Sequence, residues 1–391
     1  MHKWLMSLVL TACLFFCAGL PAAADSGDGA QSVELLQALG IGGITKDMEA
    51  VTRERFICAV SDILNYTARP QQMDGVFPDV TVKDAFSGAV YDAISRGLIA
   101  GYEDGNFGPD APVLAEQAVK IIVRALGYGI LAEQQGGYPL GYLMTAQEKG
   151  VLKGVQLTAG EGITGNAAAV MLENALNTEV LLQVGFGENS AFETRRGRIL
   201  LTESLSLQKI TGVISDNGKT GLRGESKVGK KQVLLDGELY DAGGTGAAEL
   251  LGYRVTAYVT DGQDVPGKIL YLRSDRTNTL KIAAERLIKE DSGFLIQSIV
   301  YEDVYRKTAR VKVNAEADFI LNGKADLDLR VEDLKISSGA LLLIDNNGDL
   351  VCDVIMVQRA RTMVVESVSL NKQFMEKWGR KAAFGGKRRN H

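Results

Sequence analysis

Three helical runs in the first half of this chain end alike, and a helix-start position stands twelve residues before each ending. Leu64-Asn65-Tyr66 aligns with Leu126-Gly127-Tyr128, and Leu176 supplies the third ending. The same step back reaches Thr52, Leu114 and Thr164. The second and third copies also share a glycine pair, Gly97-Leu98-Ile99-Ala100-Gly101 against Gly150-Val151-Leu152-Lys153-Gly154. A helix–loop–helix unit this small cannot bury its own apolar face, so repetition forces the copies to pack on one another. The spacing predicts an all-α region of three copies, over about residues 32–68, 77–130 and 138–182. Within it we expect a short helix from Ser32 to Leu39 with Ser32 as N-cap, and helices near 85–96 and 116–126.

The first residues read as a targeting segment. His2 and Lys3 precede an apolar run, Trp4 to Leu20, and Pro21-Ala22-Ala23-Ala24 offers small residues for cleavage before Asp25. That predicts a secretory peptide over residues 1–24. A competing reading takes Leu10-Thr11-Ala12-Cys13 as a lipoprotein box, with Cys13 as the lipidated residue. No later stretch approaches the roughly 18 to 20 apolar residues that a membrane crossing needs, so no integral span is expected after cleavage. Beyond this segment only Cys58 and Cys352 remain, each in an apolar run, and both read as small buried hydrophobes rather than a disulfide pair.

The middle copy is the most detailed. Phe77-Pro78-Asp79-Val80 opens it, a helix follows, and Gly101-Tyr102-Glu103-Asp104-Gly105-Asn106-Phe107-Gly108-Pro109 makes a turn-rich loop before the second helix. In this order the stretch from Phe77 to Tyr128 resembles an S-layer homology repeat, the bacterial module that docks secreted proteins onto cell-wall polysaccharide. Tyr138-Pro139-Leu140-Gly141-Tyr142 and Leu250-Leu251-Gly252-Tyr253 extend the likeness to the surface proteins of anaerobic Gram-positive (Firmicutes) bacteria that carry such repeats. The resemblance implies a pseudo-threefold bundle with a groove between adjacent copies. In the family, Thr-Arg-Ala-Glu opens the second helix. The Thr and Glu form a capping box, and the Arg is left at a helix N-terminus that favours an anion. By resemblance this Arg holds an acidic sugar modification, commonly a pyruvyl ketal on a secondary wall polysaccharide.

The signature is worn in this chain. Copy one keeps Thr52 and Arg53 but has Arg55 at the box position. Copy two reads Leu114-Ala115-Glu116-Gln117, copy three has Gly165 after Thr164, and the family's tryptophan position holds Ala85. The residues that the resemblance assigns to carbohydrate are Thr52, Arg53, Asp79, Tyr102, Asp104 and Glu116. Other readings stand beside this one. Asp104-Gly105-Asn106 forms turns by its own backbone chemistry, Glu116-Gln117 supports a helix start, and the repeats could pack or self-associate without sugar.

After Gly185 the texture changes. A linker over 183–206, with Arg195 and Arg196, leads into short β-rich runs separated by Asp216-Asn217-Gly218, Asp236-Gly237, Asp261-Gly262 and Asn322-Gly323. The pattern predicts small all-β domains, barrel- or sandwich-like, over 207–275 and 276–370. Separate strands are expected at Ala309–Val313 and Phe319–Leu321. Residues 371–391 read as a basic, solvated tail, and the chain is also readable as a shortened form of a longer relative. Asp345-Asn346-Asn347-Gly348-Asp349 lacks the Gly and Glu positions of a calcium loop and reads as a hairpin turn. The glycines of Asp241–Gly246 lack a phosphate loop's Lys-Ser/Thr ending. No metal site and no cofactor are expected.

The two histidines are His2 and His391, so the body of the chain has none. That excludes Ser–His–Asp and Cys–His catalysis. A net charge of -5 argues against nucleic acid as the main partner. The leading expectation is a secreted, noncatalytic envelope protein that binds wall polysaccharide and presents its β domains. An S-layer subunit that binds copies of itself is the second reading, and a carboxylate glycosidase the third.

Overall fold

The computed structural model describes residues 28–66, 76–183, 192–262, 266–274, 278–288, 297–325 and 331–360, and the backbone of 364–368, 373–377 and 380–384. The secretory segment, Cys13 and the last seven residues lie outside that set. A helical region is followed by a β-rich one with barrel-like sheets. The chain divides into two compact units, residues 1–208 and 209–391.

In the first unit, helices α1 (Asp28–Ala38), α2 (Arg53–Ile63), α3 (Ser87–Ser95), α4 (Ala115–Ala125), α5 (Gly129–Gln134), α6 (Leu140–Glu148) and α7 (Gly165–Leu176) pack together. Apolar residues at helical spacing account for the packing. Helix α4 buries Ala115, Ala118, Val119 and Ile122 on one side, and α2 buries Phe56, Ala59, Val60 and Ile63. The shared endings seen in the sequence are helix stops. At Gly127 (φ +88°) and Asn65 (φ +53°) the chain turns left-handed. The next amide reaches back five residues, from Tyr128 to Val123 and from Tyr66 to Ser61. Ser32 differs from expectation. It lies inside α1 rather than at its cap, and its hydroxyl donates to Glu173 of α7 at 2.6 Å. A buried tertiary partner, invisible locally, sets its role.

The loops entering α2, α4 and α7 meet at one place. The Val51 amide donates to the Ile163 carbonyl (2.9 Å), Ile163 to Val113 (3.1 Å), and Val113 back to Val51 (2.9 Å). A second set lies beside it: Arg53 donates to Ala111, Ala115 to Glu161 and Gly165 to Met48, each at 2.9 Å. Val51, Val113 and Ile163 are all buried, so the three bonds among them satisfy backbone groups that water cannot reach.

Within the segment expected as a linker, residues 192–205 form regular structure. Strand Phe192–Ile199 pairs antiparallel with Glu179–Gln183, and helix α8 (Leu200–Leu205) follows. The strand is mostly charged and polar, so no apolar alternation announced it. Arg198 pairs with Glu203 across the junction.

In the second unit, strands Leu207–Asp216, Gln232–Leu235, Glu238–Asp241, Gly267–Ser274 and Arg254–Thr260 pair in that order, and the last pairs again with the first. The result is a closed five-stranded ring around Ile214, Val233, Leu235, Val255, Ala257 and Ile269. Asp236 and Gly237, both at positive φ, form the tight turn expected of Asp-Gly. A second sheet of six strands begins at Thr279–Ala283. Leu222 and Leu251 of the first sheet pack with Ile320, Ile344 and Val354 of the second. The two strands expected at 309–313 and 319–321 are one, Thr308–Leu321. It runs parallel to Val351–Arg359, with a register break between Val313 and Asp318. Part of the basic tail is also paired: Gln373–Lys377 bonds to Val364–Val368 and to Arg380–Phe384.

Asp216 joins one sheet's strands to its loops. It is 3% exposed, and its carboxylate accepts from the amides of Gly218 and Lys227 and from the Ser226 hydroxyl. Burial pushes its pKa up, but the hydrogen bonds together pull harder, and it lies below the ordinary carboxylate value. A depressed carboxyl stabilises the fold above its unfolded pKa of about 4 and loses that contribution as pH falls through the folded value. Asp216→Asn should therefore cost about 1–3 kcal/mol at neutral pH. In thermal melts the gap between wild type and variant should close as pH falls through the lowered folded value. Val113→Pro removes one donor from the ring of loops, and urea unfolding should show a loss of about 2–4 kcal/mol confined to the helical unit.

Candidate functional site

The best-defined polar constellation lies where α2 begins and the loop of the middle copy wraps over it. Arg53, the first residue of α2, is 6% exposed. Its Nε donates to the Phe107 carbonyl (2.9 Å) and its Nη1 to Gln117 Oε1 (3.1 Å). The guanidinium carbon lies 4.6 Å from the centre of the Tyr102 ring and 5.0 Å from that of Phe107. Burial pushes the Arg53 pKa down, opposed by Tyr102 and Asp79. An arginine stays protonated nonetheless. Among the described residues two of its five N–H groups are used, which leaves three to offer an anion.

Asp79 holds the loop in place. Its two oxygens accept from the amides of Phe107 (2.8 Å) and Gly108 (2.7 Å), and the Phe77 ring lies 5.7 Å from Phe107. The Phe-Pro-Asp-Val opening thus packs with its aromatic and ties down the loop with its carboxylate. Asp104 shapes the turn itself. It bonds the Asn106 backbone amide and side chain, which hold its exposed carboxyl below the ordinary value.

Of the six residues named from the sequence, Arg53, Asp79 and Tyr102 come together, with Thr52 next to them. Thr52 occupies the N-cap position without capping. Its hydroxyl is buried and has no hydrogen-bond partner among the described residues. Thr164 does cap, accepting from the Ala167 amide at 3.2 Å. Asp104 serves the turn, and Glu116 lies elsewhere, accepting from the Gly160 amide in the third copy's loop. Two residues at the site were not named for carbohydrate from the sequence, where Gln117 was read only as support for a helix start. Phe107 supplies both a carbonyl and a ring to Arg53. Gln117 accepts from Arg53 and, at 3.3 Å, from the Leu114 amide, completing half a capping box. Its place three residues after Leu114 was the available signal.

The positions equivalent to Arg53 explain the worn signature. Ala115 provides no charge. At Gly165 a side chain has no room, because an added Cβ would run into the Thr45 carbonyl oxygen.

In the β unit a cleft of about 610 Å³ lies between the two sheets. Asn314, Glu316 and Asp318, around the register break, form one wall, and Asp216, Arg223 and Glu225 line the other. Arg223 pairs with Asp318 at 3.0 Å, and Asp353 accepts from Asn314 and the Asn346 amide. Cys58 and Cys352 are free thiols, pushed up by burial to about 11 and about 12, as expected of inert packing residues. No group of three or more metal-ligating side chains occurs among the described residues.

The family model described as S-layer homology domain matches residues 76–118, the stretch that carries Asp79, Tyr102, Phe107 and Gln117. This stretch is an S-layer homology domain. Three curated relatives extend the likeness. A cell surface protein of Thermoanaerobacter kivui is 26% identical over 83% of this chain and 44% of its own length. The middle cell wall protein of Brevibacillus brevis is 29% identical over 46% of this chain and 17% of its own. A surface layer protein of Brevibacillus choshinensis is 29% identical over 40% and 14%. The chain therefore spans less than half the length of each of these relatives. The first alignment covers more of the chain than the helical unit holds, so its likeness reaches into the β region.

If Asp79 positions the S-layer homology loop, Asp79→Ala should speed hydrogen exchange at the Phe107 and Gly108 amides by about tenfold or more, as expected from losing two charge-assisted bonds. The α2 and α7 amides should keep their protection.

Proposed function

We propose that this chain is a noncatalytic cell-envelope protein that anchors to an acidic secondary wall polysaccharide through three S-layer homology copies, and that the β unit is presented at the surface. One observation carries the reading. A buried guanidinium with three unused N–H groups stands at a helix N-terminus, walled by two aromatic rings, which suits a carboxylate-bearing sugar. The closed ring through Val51, Val113 and Ile163 supports a pseudo-threefold arrangement of the copies. The relatives' names support a place at the wall. No helix of the described residues is long and apolar enough to cross a membrane.

Self-association as a surface-layer subunit is the second reading. It is favoured by the relative named as a surface layer protein and by Ile130, Leu140 and Met144, which are exposed on α5 and α6. The glycosidase reading has the β-unit cleft behind it. Against it, Asp216 is held ionised, the opposite of a general acid, while Asp318 and Asp353 are tied up in pairs.

The test is retention of the full chain on purified bacterial walls before and after acid removal of secondary polymers. Retention should fall on stripping, and equal retention on both would overturn polymer anchoring. Tyr102→Ala should weaken retention several-fold with an unchanged melting temperature. Arg53→Ala should weaken it too and also cost about 1–3 kcal/mol of stability, because Phe107 and Gln117 lose their donor.

A further inference from the structure

The two halves of the β unit repeat one topology. In the first, strands 1 (Leu207–Asp216), 2 (Gln232–Leu235), 3 (Glu238–Asp241), 4 (Arg254–Thr260) and 5 (Gly267–Ser274) close in the order 1-2-3-5-4-1, with 3 and 5 parallel. In the second, the strands are 1 (Thr279–Ala283), 2 (Ser298–Glu302), 3 (Thr308–Leu321), 4 (Gly339–Ile344) and 5 (Val351–Arg359). They pair in the order 1-4-5-3-2, again with 3 and 5 parallel. Closure comes from just beyond strand 1, where Leu287 bridges Tyr301 and the Ile288 amide donates to the Val300 carbonyl at 3.0 Å. Each half also has a short helical turn between strands 3 and 4, at Ala247–Glu249 and at Val331–Leu334. A five-stranded Greek-key barrel of this order is the OB-fold. It carries its ligands across strands 2 and 3 and between the loops that join 1 to 2 and 4 to 5.

Those ligand-bearing parts meet in the cleft of about 610 Å³. The first barrel contributes its strand 1–2 loop, through Gly221, Arg223 and Glu225. The second contributes strand 3, through Asn314, Glu316 and Asp318, and its strand 4–5 loop, through Asn346. The register break between Val313 and Asp318 sets the polar middle of strand 3 in the wall. The walls are tied to each other. Arg223 pairs with Asp318 at 3.0 Å, and Asn346 accepts from the Arg254 amide and donates to the Gly252 carbonyl. The volume falls in the range of small-ligand clefts, about 300–1,000 Å³.

The lining sets the ligand. Asp216, Glu225, Glu316, Asp318 and Asp353 are set against Arg223 and Lys227, so five carboxylates outnumber two cations. That balance repels the phosphates of a nucleic acid and the carboxylates of an acidic glycan, and it attracts a cation. Asp216, Asp318 and Asp353 are already engaged. Among the described residues no hydrogen bond or ion pair holds the carboxylates of Glu225 and Glu316. Val213, Leu222, Leu234 and Val354 add apolar surface to the same cleft. A sugar with free amines answers all of these features. Its ammonium groups suit the two free carboxylates, its hydroxyls the remaining hydrogen-bonding capacity of Asn314 and Arg223, and its C–H face the aliphatic side chains.

We propose that the cleft between the two barrels binds an oligosaccharide of amino sugars with free amines, and that Glu225 and Glu316 take its ammonium groups. The site is independent of the anchoring reading, since it uses neither the helical copies nor their cations.

The probe is the hexamer of glucosamine, with its N-acetylated form as control. Each is titrated calorimetrically into the full chain at about pH 5.5, where carboxylates are ionised and amines protonated. Wild type should bind the amine form more tightly by about tenfold, the worth of one charge-assisted contact. Glu225→Gln and Glu316→Gln should each weaken it several-fold, and the double variant should bind both hexamers alike with an unchanged melting temperature. Glu238→Gln, which removes an exposed carboxylate outside the cleft, should bind as wild type does. No binding of the amine hexamer, equal affinity for the two hexamers, wild-type affinity in the double variant, or an equal loss in Glu238→Gln would overturn the site. Penta-lysine separates a sugar from bare charge. Weaker binding than the amine hexamer supports the saccharide assignment, and binding as tight that depends on Glu225 and Glu316 overturns it.

Discussion

Three loop strands, each a single residue wide, hold the helical unit in register. Val51, Val113 and Ile163 exchange backbone hydrogen bonds in a closed circuit, and the residues that start α2, α4 and α7 are bonded just outside it. Because each buried amide has its partner in another copy, no copy can shift along its axis without stranding a donor. The helix N-termini are thereby fixed. Arg53 is where it is because Ala111 accepts its amide; its side chain then has no choice but to meet the loop that ends at the same place.

The three helix starts are consequently unequal for reasons of space rather than chance. Beside α2 there is room for a guanidinium and two rings. Beside α7 the Thr45–Met48 segment comes so close that only glycine fits. Beside α4 an alanine fills the position. Loss of the signature in copies two and three thus has different physical meanings, which a motif alone treats as the same.

Much of this was legible in the sequence wherever a feature was local. Two of the three matched endings were helix stops that turn left-handed, at Gly127 and Asn65. Asp236-Gly237 and Asn322-Gly323 declared hairpins by the same conformational demand. Features that depend on distant partners were not legible. Ser32 has the chemistry of a cap, but its partner Glu173 is 141 residues away. The strand Thr308–Leu321 looked broken because its polar middle, Asn314 to Asp318, faces a cleft that only the fold creates. Phe192–Ile199 is polar on both faces and carries no alternation to read. Within the site, Asp79 and Tyr102 were found through resemblance, whereas Gln117 followed from capping geometry and Phe107 from neither.

The pairing of α1 with α7 governs how the unit must be made. Ser32 at the start of the helical region bonds Glu173 near its end, and the circuit of loops draws on residues from 48 to 165. A chain that emerges N-terminus first cannot close copy one until copy three has followed it out. Folding is then a late, concerted event rather than repeat-by-repeat growth, with α1 holding an unmatched apolar face throughout.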